Sequence, residues 1–125
     1  MAYEIPGFSW TLIAGEDLTA SQFCGIDVDG DGEAVLPVEG GRCVGFTRNK
    51  PDTGEEVTVV STGIVKAQIG ITGVVAGNNV TVDDDGTVIQ AANGDISVGV
   101  ALKTNASGEI GTILLLIGQS AVTGS

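Results

Sequence analysis

Residues 80–102 read VTVDDDGTVIQAANGDISVGVAL. Two turn signals divide this stretch. Asp85-Gly86 closes an acidic cluster. Asn93-Gly94 stands between apolar runs and is among the strongest local hairpin signals, because both residues accept positive φ. The flanking runs are rich in Val, Ile and Thr, residues that suit a pleated, half-buried surface. The last run alternates, with Ile96, Val98, Val100 and Leu102 on one face and Ser97, Gly99 and Ala101 on the other. The stretch predicts three short strands joined by tight turns.

The same pattern occurs earlier in the chain. A shift of 54 positions, the separation of Gly45 and Gly99, places Val28-Asp29 on Val82-Asp83, Asp31-Gly32 on Asp85-Gly86 and Gly40 on Gly94. It also places Val44-Gly45 on Val98-Gly99, Gly54-Glu55 on Gly108-Glu109 and Thr58 on Thr112. Turn residues recur easily in any β protein, but one frame held without a gap over residues 28–60 indicates two copies of a supersecondary unit. The copies span about 26–62 and 80–117, and in the first Val44 and Phe46 take the inward positions. Each ends in a fourth strand, Val57–Ser61 or Thr112–Ile117, and residues 63–77 add further strand and a turn. Only residues 15–23 could hold a short helical turn. Two small β units that cannot bury their apolar faces alone pack together. The expected fold is all-β: a small barrel built from two similar units with pseudo-two-fold symmetry, or a two-sheet sandwich. Residues 1–20 read as an extended N-terminal arm and lead-in, and residues 21–125 as one β domain.

The chain has 125 residues and a net charge of −11, with no His and only five basic residues. Nucleic acid is an unsuitable partner, because phosphate binding needs a stripe of Lys and Arg. The longest strongly apolar run, Ile113–Ile117, is far too short to cross a bilayer as a helix. The N-terminus, MAYEIPGFSW, lacks the basic and apolar regions of a signal peptide. Cys24 and Cys43 could form one bridge, but without a secretion signal reduced, half-buried thiols are expected.

The segment IDVDGDGEAV, residues 26–35, opens like a calcium loop with Asp27, Asp29 and Asp31. Such a loop ends in a bidentate Glu at its twelfth position, and counting from Asp27 that position is Val38. The second copy has Thr81 in place of Asp27. The copies share the turn rather than a ligand spacing, so the hairpin reading is preferred and calcium binding is the weaker alternative. Catalysis has little to draw on. The usual general base, His, is missing. Cys43 aligns with Ser97 on a strand and has no base partner in the pattern. Glu55 and Glu109 read as loop-end residues. GGRCVG lacks the Gly-Lys-Ser/Thr ending and following helix of a phosphate loop. Neither enzyme activity nor a cofactor is expected.

Two features suggest partner contacts. Tyr3, Phe8 and Trp10 concentrate three of the five aromatics in the first ten residues, and aromatics are preferred interface anchors. The segment either docks on another subunit or folds back over the β body. Arg48 and Lys50 charge a loop whose counterpart carries Leu102 and Thr104, which marks it as a contact candidate.

The segments VDGDGEAVL (residues 28–36), VGFTRNKPDTGEEVTV (44–59), VVAGNNVTVDDDGTVI (74–89), GDISVGVAL (94–102) and SGEIGTILL (107–115) follow one another in an order that resembles the small capsid cement, or decoration, proteins of tailed bacteriophages. The resemblance covers most of the chain and brings no catalytic residues with it. It implies a structural protein made in the host cytoplasm that binds the outside of the matured head. There it would bridge subunits of the major capsid protein lattice and stabilise them, as a homo-oligomer (dimer or trimer).

Overall fold

The computed structural model describes residues 5–117. Eleven strands and no helix occur among them. In chain order they are β1 (Ile5–Pro6), β2 (Ser9–Ile13), β3 (Gly25–Val28), β4 (Ala34–Val35), β5 (Gly45–Thr47), β6 (Glu56–Val60), β7 (Gly63–Gln68), β8 (Asn79–Val82), β9 (Val88–Gln90), β10 (Gly99–Ala101) and β11 (Ile110–Leu115). Residues 15–23, where a helical turn was conceivable, are turns and irregular backbone.

The strands form two antiparallel sheets, ordered β2-β6-β5-β3-β4 and β1-β7-β11-β10-β8-β9. Apart from β1 the orders are the same, and so are the registers. Phe46 faces Val60 as Val100 faces Leu114, and Asp27 faces Val35 as Thr81 faces Ile89. The loop bonds repeat too. Val44 N–H donates to Ile26 O and Val98 N–H to Val80 O, both at 2.9 Å. Arg48 N–H donates to Thr58 O at 2.9 Å and Leu102 N–H to Thr112 O at 3.0 Å. The duplication is therefore structural as well as sequential.

It is also longer than the shared residues indicate. Thr11 pairs with Thr58 as Lys66 pairs with Thr112, so β2 and β7 are corresponding first strands at an offset of 55. Each sheet curls until its edges meet. Ala14, just past β2, forms a parallel bridge to Ala34 beside β3, and Ile69 forms the matching bridge to Val88. Ala14, Leu18, Ile26, Ala34, Val57 and Val59 fill the inside of the first sheet, with Trp10, Leu12, Leu36 and Val44 packed against them.

The core of the second sheet is larger. It includes Val65, Ala67, Val80, Val82, Val98, Ile113 and Leu115, together with Cys43, Phe46 and Val60 from the first sheet. The outer face of the first sheet thus closes the open side of the second. This corrects the simple alternation expected for residues 96–102. Val98 and Ala101 are buried whereas Val100, between them, is half-buried and points outward. The chain shifts face at Gly99, whose missing side chain lets β10 lie against the Leu114 carbonyl and Ile113. The same shift at Gly45 sends Val44 to the first core and Phe46 to the second.

Candidate functional site

The acidic turns are built alike. Asp29 N–H donates to Glu33 O at 3.0 Å and Asp83 N–H to Thr87 O at 2.8 Å, closing tight hairpins with Gly32 and Gly86 at φ +77° and +82°. The Asp29 carboxylate is engaged in the turn itself, accepting from the backbone N–H groups of Asp31 (2.9 Å) and Glu33 (3.0 Å). Asp27, singled out by the calcium pattern, stands apart. It holds the Arg42 guanidinium by two bonds, 2.7 and 3.2 Å. The carboxylates that gather are Asp29, Asp31 and Glu33 in one turn and Asp83, Asp84 and Asp85 in the other. Glu33 was missed because its nearness depends on the hairpin closing, not on a ligand spacing.

Glu55 and Glu109 also repeat in detail. The Glu55 carboxylate accepts the Asp52 N–H at 2.7 Å, and the Glu109 carboxylate accepts the Ala106 N–H at 2.8 Å. The Ala106 N–H, joined by the Asn105 side-chain amide donating at 3.1 Å, holds the Glu109 carboxyl below the usual carboxylate range. Both residues cap turns.

The thiols are free and buried rather than half-buried. Burial pushes both up to about 12, so neither supplies a thiolate nucleophile at neutral pH. Cys43 Sγ donates to Gly45 O at 3.2 Å, and its counterpart Ser97 donates to Gly99 O at the same distance. A crevice of about 430 Å³ between the units is lined by Cys43, Val44, Ser97, Val98 and Ile117, with Arg42 at its edge. No poised acid, base or nucleophile converges there among the described residues.

The N-terminal segment folds back from residue 5 onward. Ile5-Pro6 extends the second sheet against Ile64 and Gly63, while β2 forms the edge of the first sheet. The two sheets are thereby strapped together. Trp10 belongs to the body, half-buried, with its Nε1–H donating to Ser61 Oγ at 2.6 Å. Phe8 remains 62% exposed and Ile5 61% exposed. Tyr3 lies outside the described residues. Arg48 and Lys50 are exposed in the turn after β5, two strands from β2, so the four described candidates, Phe8, Trp10, Arg48 and Lys50, are divided between the strap and this turn.

What remains is a duplicated β body with an exposed apolar strap and no reactive centre among the described residues. A family model described as phage cement protein matches residues 6–117 of this sequence. The chain belongs to the phage cement protein family. Among curated proteins no sequence matches. Five solved chains match in structure. One is the head fiber gp8.5 N base of bacteriophage phi29, at a TM-score of 0.69 and 19% identity, covering 87% of this chain and 93% of that one. At that identity the likeness speaks for the fold alone. A cement protein is a structural component of the phage head, and in this one both copies of the repeat lie within the matched residues.

Proposed function

We propose that this protein binds the outer surface of the assembled phage head, bridges neighbouring major capsid subunits and stabilises the shell without performing chemistry. The observation that carries this reading is the cement-family match over residues 6–117, nearly the whole chain. The two exposed surfaces suit the role. Phe8 supplies an apolar contact on the strap, and the Arg48–Lys50 turn supplies a basic one on a chain of net charge −11. The acidic remainder faces solvent.

A protein that binds only the assembled lattice adds its binding free energy to that state. The gain is about 2.7 kcal/mol per site at a hundredfold excess over Kd. Repeated over a shell this becomes a large resistance to disruption. The site residues we assign to the head are Phe8, Arg48 and Lys50, with Tyr3, five positions before Phe8 in sequence, and copies cluster as closed dimers or trimers on the lattice. The test is to mix the protein with undecorated, expanded heads. Saturable, stoichiometric binding and a higher temperature of head disruption are expected. Heads that stay bare, or decorated heads that break at the same temperature, overturn the reading.

A further inference from the structure

One face of the second sheet carries an apolar row that is only partly covered. Ile5, Ile64, Leu114 and Val100 stand directly opposite one another on four adjacent strands. Directly opposed residues of antiparallel strands share a face, so all four point the same way, outward. Ile5 is 61% exposed, the other three are half-buried, and Asn79, next in the row, is exposed.

The duplication states what such a row is built for. Its counterpart in the first sheet is Ser9, Val60, Phe46 and Gly25, linked by the corresponding pairings. Ser9, at the edge, is exposed, but Val60 at 0% and Phe46 at 1%, the counterparts of Leu114 and Val100, are buried with Gly25 beneath the open side of the second sheet. The turn at Gly86 lies over it and accepts the Gly25 N–H at 2.8 Å.

The other half of the interface is duplicated as well. On the second sheet Val65, Val82 and Val98 close over the first, each 1% exposed or less. Their counterparts on the first sheet are Trp10, Val28 and Val44, and all three are only half-buried. The molecule thus contains one completed contact, outer face of unit one to open side of unit two. It also carries both halves of a second such contact, one on the outer face of unit two and one on the open side of unit one.

We propose that a second copy of this chain completes it: the Ile5–Ile64–Leu114–Val100 row of one copy docks on the open side of the first unit of the next, against Trp10 and Val28. The contact continues an interface the fold already uses, and it is heterologous. Copies therefore join head to tail, into a ring where the rotation closes and an open chain where it does not. Because each copy carries −11, charge opposes the contact and apolar burial drives it. The inference rests on the clustering of copies proposed above, not on head binding, and is tested without heads.

Sedimentation of the full chain over a concentration series, with three variants, decides it. The wild type is expected to self-associate, more tightly as NaCl is raised. Ile5→Lys and Leu114→Lys change the row, and Val28→Lys changes the open side. Each is expected to raise the dissociation constant roughly thirtyfold or more, as loss of an interface anchor does. Ile5→Lys alters an exposed side chain and guards against a row variant that fails to fold. The row variant and Val28→Lys, each monomeric alone, retain opposite intact halves, so a one-to-one mixture should form two-chain particles and nothing larger. A wild type that is monomeric throughout overturns the proposal. So do variants with unchanged mass, a mixture that stays monomeric, or association that salt dissolves.

Discussion

Thr58 and Thr112 are the same residue at the same place in two copies of one unit, yet their surroundings differ. Thr58 is exposed, whereas Thr112 is 1% exposed and its Oγ1 has no hydrogen-bond partner. A buried hydroxyl left unsatisfied costs about 1–3 kcal/mol. Thr112→Val keeps the shape and removes the group, so it should raise stability by about 1 kcal/mol in urea unfolding, while Thr58→Val leaves it nearly unchanged. The buried thiols set a second dependence, on pH. Their folded pKa, about 12, lies above the ordinary value of 9.0. Stability from this source is whole below pH 9 and falls as pH rises toward 12, because only the unfolded chain ionises. Each thiol contributes a loss of about 1.4 kcal/mol per pH unit across that window. Cys43→Ser reproduces what Ser97 already does in the other copy. It should fold, keep a donor to Gly45 O, and melt with a shallower decline between pH 9 and 11 than the parent chain.

At the scale of elements, the close approach of β5 to β6 and of β10 to β11 depends on a missing side chain. A Cβ on Gly45 would strike Val59 Cγ1 and, at 2.8 Å, the Val60 carbonyl, and one on Gly99 would press still closer on the matching Leu114 carbonyl. Overpacking of this kind costs about 1–3 kcal/mol. Gly99→Ala meets backbone at the closer range, so it should lower the urea midpoint more than Gly45→Ala, with m unchanged. These matched glycines are also where the sequence spoke most clearly. Asp-Gly and Gly-Glu turns kept one frame of 54, and from them the order of four strands per unit could be read. Residues 63–77 read as further strand, but the correspondence of β7 with β2 was hidden, since SWTLI and IVKAQ match at no aligned position and the offset slips to 55. The strap was hidden for a different reason. Trp10 finds Val59, a contact 49 residues away that no local pattern encodes. Its aromatic cluster was legible, but whether it folded back was not. The consequence is testable. Removing residues 1–7 takes away β1 and should cost little stability. Extending the deletion through Trp10 cuts into β2 and should lower the melting temperature by many degrees. A small effect from the longer deletion would mean that β2 does not hold the first sheet together.

For the whole molecule, the question is whether two similar units behave as two domains or as one. Tandem repeats stabilise themselves through unit and interface terms together, and here the interface term is unusually direct. Phe46 and Val60 lie on strands of the first unit yet belong to the core of the second, so the second core is not complete without the first sheet in place. Every strand of the second unit that meets Phe46 loses its cover when the first unit opens. β1, on the second sheet, leads straight into β2 on the first and ties them again. Independent melting is therefore disfavoured, and calorimetry should give one transition whose van't Hoff and calorimetric enthalpies agree. Phe46→Ala should destabilise the entire chain by about 3–5 kcal/mol and still leave a single transition at lower temperature. Two separated transitions in that variant, with only the second shifted, would mean that the units are autonomous. The body would then flex at the contact instead of moving as one piece.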